Sequence, residues 1–294
     1  MDKPQFTGAL AGITNGKMIR PIYGLISGLP GVGKTTLTSQ APNPIYLGLE
    51  SGTYQLNVSR FPKAETLAEF LEQLRGVAVE KHPFKTIVLD SIDALEPLIW
   101  KQVCSEGKVE SISEYGGGYG QGYLRAMEIW RSILHDLGLL STRFHVLLTG
   151  HVMVKTFQDP NLASGYDRYQ LKVNEKAAAV VRESVDLMLF CTFKTDLIRD
   201  RKSKEVRALT DGTRVMYTEF RPAFLEAKNR FGLPFEMPLA WKPLATAIRA
   251  FYDPPPAPAA QPPPLEQPPQ AQPPAETATT QPPPPEENTQ NDNA

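Results

Sequence analysis

Apolar and polar positions alternate along the first 150 residues in a repeating order: a short apolar run, a turn rich in glycine or ending in a carboxylate, then a helical period. The apolar second half of 18–27 reads as a buried strand, followed by a glycine-rich turn and a short helix that Pro42 stops. A second strand is expected over 44–50. In the next segment Leu67, Phe70, Leu71, Leu74 and Val77 share one helical face. A third strand, 84–90, ends in a carboxylate. The helix of 123–140 keeps Met127, Trp130, Ile133, Leu134 and Leu137 in step, and a fourth strand, 144–149, leads into Gly150 and His151. Strands alternating with helices predict an α/β fold with a mostly parallel sheet flanked by helices. Beyond Val152 the runs 185–193, 205–209 and 214–217, separated by polar turns such as Asp211-Gly212, predict an antiparallel β extension.

The pattern ends at Asp253. From there the chain is almost all Pro, Gln, Ala, Glu and Thr, with a few Asn and Asp and Leu265 as its one large aliphatic residue. Such a segment cannot bury enough apolar area to offset its conformational entropy, so 253–294 is expected to be a disordered, Pro-rich acidic tail and 1–252 the folded domain. Charge divides at the same point. The whole chain carries −1, but the tail holds six acidic residues and no Lys or Arg, which leaves 1–252 at +5. A mildly basic body is compatible with nucleic acid and equally with an ordinary solvated surface. Cys104 and Cys191 stand far apart without a nearby Cys/His cluster, which argues against zinc and against a disulfide framework. With no apolar run of about eighteen residues and no apolar signal core, a soluble cytoplasmic protein without a membrane partner is expected.

The turn after the first strand is the most informative stretch. Gly28-Leu29-Pro30-Gly31-Val32-Gly33-Lys34-Thr35 is a complete G-x-x-x-x-G-K-[ST] phosphate loop between a strand and a helix. Its glycines let successive N–H groups curl inward on a phosphate, and the following helix adds its positive end. Gly28, Gly31, Val32, Gly33, Lys34, Thr35 and Thr36 are the expected nucleotide-binding residues. Lys34 reaches the terminal phosphates, and the Thr35 hydroxyl ligates Mg²⁺. ATP and Mg²⁺ are the expected ligands, although no base-reading motif separates ATP from GTP.

Two carboxylates complete the chemistry. Asp90 closes an apolar strand, the setting of a Walker B aspartate that holds the metal's water shell, or of a cap on the next helix. The residue after it is Ser91, where many ATPases carry a water-activating glutamate. Glu50 ends the strand that follows the phosphate-loop helix, so it emerges at the C-terminal edge of the sheet, where a carboxylate can orient the attacking water. Asp93 is near Asp90 and is expected to point elsewhere.

Phosphate loop, strand-end Glu50, Asp90-Ser91 and a strand ending in a polar residue together resemble the RecA-like branch of ATPases, the recombinases and hexameric replicative helicases. Residues from about 20 to 245 resemble phage-encoded RecA-like ATP-binding proteins, including the Sak-type single-strand annealing group. The resemblance implies a RecA-like P-loop core and makes His151 the sensor of the γ-phosphate. It implies a first DNA loop through Tyr115, Tyr119 and Tyr123, whose rings alternate with glycines, although the same loop could be a lid. A second DNA loop would run through Lys155, Arg168 and Lys172. Lys228 and Arg230, in the order Lys-x-Arg, would reach the γ-phosphate of a neighbouring subunit. The implied activity is a DNA-stimulated ATPase in phage recombination or single-strand annealing, in the host cytoplasm. The implied partners are single-stranded DNA, a single-stranded-DNA-binding protein and further copies of the chain in a ring or filament. The resemblance departs from full RecA in lacking an obvious N-terminal oligomerisation helix and a C-terminal DNA-gathering domain. A helicase-loader or motor-type AAA+ ATPase is the alternative, and a small-molecule kinase a more distant one.

Overall fold

The computed structural model describes residues 12–199 and 206–253; the proposed tail beyond Asp253 lies outside them. In chain order the elements are β1 (Tyr23–Gly28), α1 (Lys34–Ser39), β2 (Pro44–Gly48), β3 (Ser59–Arg60), α2 (Leu67–Val79), β4 (Thr86–Asp90), α3 (Ile92–Gly107) and α4 (Gln121–Leu140). They continue with β5 (His145–Phe157), β6 (Tyr166–Leu171), α5 (Glu175–Ser184), β7 (Leu187–Phe193), β8 (Asp196–Arg199), β9 (Val206–Leu209), β10 (Arg214–Tyr217), β11 (Lys228–Asn229), β12 (Glu236–Pro238) and α6 (Trp241–Tyr252).

The main sheet runs β12-β10-β7-β1-β5-β4-β2-β3. From β7 through β3 every neighbouring pair is parallel. β10 and β12 extend the β7 edge antiparallel, as the short strands of the second half predict. Alternate residues of the central strands feed two cores, which is the period-two rule at work. Tyr23 and Leu25, Val146 and Leu148, and Met188 and Phe190 pack toward α2–α5. Ile22 and Ile26, Leu147, and Leu187, Leu189 and Cys191 pack toward α1 and α6. The sheet is therefore covered on both faces, and its functional residues must emerge at an edge.

The structure corrects three expectations. β5 does not stop at Thr149; it runs thirteen residues through His151 to Phe157, and its second half pairs antiparallel with β6, from Val152↔Leu171 to Phe157↔Tyr166. The proposed second DNA loop is thus largely a β-hairpin. Helices α3, α5 and α6 were not expected. Pro97 inside α3 and the weak apolar content of α5 hide their helical periods. Finally, 114–123 is no open loop. A 3₁₀ turn over Ile112–Gly117 leads through Gly118, Tyr119 and Gly120, all at positive φ, into α4, which already holds Tyr123. No helix among the described residues is long and apolar enough to cross a membrane.

Candidate functional site: a phosphate loop and its carboxylates

The site forms where the parallel strands end. Gly28 is required by a close approach: a Cβ there would lie 2.2 Å from the Cys191 carbonyl oxygen of the adjacent strand. Gly33 is required by backbone shape, since it caps α1 in the left-handed conformation at φ 107°. It offers α1 no side-chain cap, so the first-turn N–H groups of α1 keep no intrahelical partner and stay available to an anion. Val32, fully buried against the α1–α6 core, anchors the middle of the loop. Tyr46 props the helix from β2, its hydroxyl 2.8 Å from Thr38 Oγ1 and donating to Thr35 O at 3.1 Å.

Lys34 is almost fully buried, and its ammonium donates to Gly28 O and Leu29 O, both at 3.1 Å. Burial lowers its pKa below the ordinary lysine value, opposed by Cys191, Asp90, Asp93 and Glu50. A bound phosphate would supply the negative partner that burial makes Lys34 want. Asp90 stands beside it. Thr35 Oγ1 donates to Asp90 Oδ2 at 3.0 Å, and Thr149 Oγ1 donates to Asp90 Oδ1. Thr35 and Asp90 are therefore already in contact at the place expected of a metal-holding pair. Their oxygens suit Mg²⁺, which is bound through few carboxylates and keeps much of its water.

Glu50 lies just past the end of β2, and its Oε1 accepts from the Ser91 hydroxyl. Ser91, the residue that replaces the expected glutamate, thus holds the glutamate supplied by another strand. Ser91 also caps α3, accepting from Ala94 N. Two residues into that helix, Asp93 accepts from the His151 backbone N–H at 2.9 Å and pairs with His151 Nδ1 at 2.8 Å. Burial would raise the Asp93 carboxyl, but the hydrogen bonds and charge of His151 outweigh it and hold it below the ordinary aspartate value. Glu50, Asp93 and His151 each bring a ligand atom within 4.8 Å of the others. The Thr35–Asp90 pair, whose threonine belongs to the phosphate loop itself, stands nearer the phosphates and is the better cation site. One turn further along α3, buried Glu96 accepts the Asn174 N–H with both oxygens, at 2.9 and 3.0 Å. The start of α3 thus touches Glu50, the entry of the β5–β6 hairpin and its exit.

These groups surround a cavity of about 430 Å³ lined by Gly31, Gly33, Lys34, Thr35, Glu50 and His151, with Thr36, Asp90 and Arg214 also on its wall. The residues proposed for phosphate, metal and sensor roles therefore converge on this cavity, except Gly28 and Val32, which shape the loop from beneath without lining it. The sequence reading missed four participants. Thr149 was legible in principle, because it sits two residues before His151 and so on the same side of β5. Ser91 and Asp93 were noticed without their partners. Arg214 lies 180 residues from the loop, and only the pairing of β10 with β7 brings it in.

The other proposed residues lie elsewhere. Tyr115 is half-buried against the core, and Tyr123 packs edge-on to Trp100 at 5.9 Å between ring centroids. Tyr119 alone of the three is fully exposed. On the hairpin, Lys155 and Lys172 are exposed, Lys155 is 3.6 Å from Glu175, and Arg168 lies over the Phe157 ring at 3.4 Å. Lys228 donates to the carbonyls of Arg182 and Val185 at 2.9 and 2.6 Å, and Arg230 pairs with Asp186 at 2.7 Å. Both sit where β7 begins, at the edge of the sheet opposite the phosphate loop. They do not reach the chain's own site.

Strand, phosphate loop, helix and a strand-end aspartate bonded to the loop threonine define a P-loop NTPase. Residues 20–231 match the AAA domain family, and the chain belongs to that family. Over 130 residues it is 27% identical to the SPbeta prophage-derived uncharacterized protein YorG of Bacillus subtilis (strain 168), a stretch covering 43% of this chain and 39% of that protein. The match thus spans about two fifths of that relative's length.

Proposed function

We propose that the chain is a Mg²⁺-dependent ATPase stimulated by single-stranded DNA, acting as a homo-oligomer in phage recombination or strand annealing beside a single-stranded-DNA-binding protein. The observation that carries this reading is the continuity of β5. The same strand contacts Asp90 through Thr149, lines the nucleotide cavity with His151, and runs on into an exposed hairpin bearing Lys155. Lys172 stands where that hairpin ends, its N–H donating to His151 O at 2.9 Å. Met153 and Val154, also exposed there, offer apolar surface beside the cations. The similarity to a prophage-derived protein supports the phage setting.

Chemically, Lys34 and the free N–H groups of α1 hold the phosphates. Glu50, steadied by Ser91, takes the proton of the attacking water, a role worth about 10²–10⁴-fold. Thr35 and Asp90 would hold a Mg²⁺ ion, which when bound would supply positive charge against the charge developing in phosphoryl transfer. His151, fixed by Asp93, senses whether the terminal phosphate is present and moves the hairpin accordingly. Lys228 and Arg230 act in trans, the neighbour's phosphate replacing the intrachain partners they hold here. Mixing Arg230→Ala with Lys34→Ala subunits should then restore part of the activity that each lacks alone.

Steady-state hydrolysis with and without a single-stranded oligonucleotide tests the proposal. Stimulation that vanishes in Lys34→Ala is expected, and indifference to DNA would overturn it. The AAA domain match also favours a second reading, a loader or motor ATPase of the replication machinery. That enzyme would respond to a protein partner and remain indifferent to naked single-stranded DNA.

A further inference from the structure

We propose that Arg214 is the in-chain cation of the nucleotide site, contacting the phosphates bound by its own chain's loop. The proposal rests on the nucleotide reading of that loop and extends it to a residue outside the motif. Arg214 opens β10, directly across from Phe193 at the end of β7. Two rungs back on β7, Cys191 faces Gly28, the first residue of the loop. The antiparallel extension of the sheet therefore starts beside the phosphate loop.

A hydrogen-bonded turn fixes that start. Asp211 Oδ1 accepts from Thr213 N at 2.8 Å, and Lys194 N donates to Thr213 O at 2.7 Å. The Arg214 side chain then reaches over Gly33, where a Cβ would meet Arg214 Nη1 at 3.2 Å. It shares the wall of the 430 Å³ cavity with Lys34, Thr35 and Glu50.

The partners of Arg214 make the case. Arg125, Arg182 and Arg230 each pair with a carboxylate at 2.7–3.2 Å, whereas, within the described residues, Arg75, Arg143 and others do not; what sets Arg214 apart is that it stands unpaired on the wall of the phosphate-loop cavity. Among the described residues Arg214 has no acidic partner, and its guanidinium makes only a loose approach to the Phe193 ring at 5.7 Å. An exposed guanidinium held against an anion-binding loop, with no acid to satisfy it, is arranged for a planar, bidentate anion such as a phosphate. Lys228 and Arg230, at the far edge of the sheet, cannot supply this charge within one chain. A Cβ at Gly33 would crowd the guanidinium by a few tenths of an ångström, so the glycine leaves room for Arg214 as well as supplying the left-handed turn.

The test compares ATP and inorganic tripolyphosphate, each binding to wild type, Arg214→Ala, Arg214→Lys and Lys34→Ala by calorimetry. Arg214→Ala should weaken both ligands by about 10- to 100-fold, the range of one or two charged hydrogen bonds. Arg214→Lys, which keeps the charge and loses the fork, should recover part of that loss. Unchanged ATP affinity in Arg214→Ala would overturn the proposal. So would a loss confined to ATP with tripolyphosphate unaffected, which would place Arg214 on the base. Mixing Arg214→Ala with Lys34→Ala subunits should restore no hydrolysis, because every site with an intact lysine then lacks its own arginine. Recovery would assign Arg214 to a neighbour's site. Full affinity in Lys34→Ala would instead sink the nucleotide reading itself, whatever Arg214 does.

Discussion

Asp93 does not line the nucleotide cavity, yet it holds the residue that does. Replacing it with Ala removes two hydrogen bonds, at 2.9 Å to the His151 backbone N–H and at 2.8 Å to its ring nitrogen. The carboxylate is only 13% exposed, so water replaces it poorly. A hydrogen bond to a charged group contributes about 1.5–3 kcal/mol, and the two share one anion, so the expected loss of stability is about 2–4 kcal/mol. Because the Asp93 pKa is depressed, its contribution is fully present above the ordinary aspartate range and fades only as the pH falls through the lower folded value. The loss in Asp93→Ala should therefore be undiminished at pH 7 and shrink in acid. Denaturant melts at several pH values measure that part. The functional part is separate. ATP affinity should change little, since Asp93 does not itself line the cavity, while turnover falls about tenfold and DNA no longer stimulates it. Asp93→Asn keeps an acceptor for the backbone N–H but cannot accept a second proton from Nδ1, so it should recover stability more than stimulation. Normal DNA stimulation in a correctly folded Asp93→Ala protein would refute the reasoning and leave Asp93 a purely structural tie.

Other outcomes follow from the same geometry. Glu50→Gln should bind ATP normally and hydrolyse it about 10²–10⁴-fold more slowly, read by single-turnover kinetics; a larger defect in Asp93→Asn would transfer the base role. Glu96 is held above the ordinary carboxylate pKa by burial, partly offset by the Asn174 N–H. Its charge therefore costs stability as the pH rises from 4.5 through the folded value, and Glu96→Gln, which keeps the acceptor, should be more stable than wild type at pH 7 and equal to it in acid. Tyr119→Ala should weaken single-stranded DNA binding by about 1–3 kcal/mol if its exposed ring stacks on a base. Tyr123→Ala should instead lower the melting temperature, because its ring is committed to Trp100.

How much of this was legible beforehand depended on how local the signal was. The phosphate loop is eight consecutive residues whose conformational needs are written in their glycines, so the loop and its flanking strand and helix could be placed at once. Asp90 and Glu50 were legible because apolar runs ended on them. The run through His151 misled, since Val152, Met153 and Val154 extend a strand whose partner, β6, is too polar to announce itself. The tyrosines misled for the opposite reason. Spacing shows that rings and glycines alternate, but not that Tyr115 and Tyr123 turn inward onto α3 and its surroundings. Arg214 carried no local mark at all, because its role depends on which edge of the sheet the last strands join. Lys228 resembled a phosphate finger by spacing, and within its own chain it instead holds the end of α5 to β7.

The central claim is that one strand couples the nucleotide to the DNA-facing hairpin, and the affinity for single-stranded DNA with ADP or a non-hydrolysable ATP analogue bound tests it most directly. Coupling between two sites is reciprocal and typically amounts to about 5- to 150-fold. The account predicts tighter DNA binding with the ATP analogue than with ADP, an equal tightening of the analogue by DNA, and loss of both effects in Asp93→Ala. The same DNA affinity in both nucleotide states would contradict it.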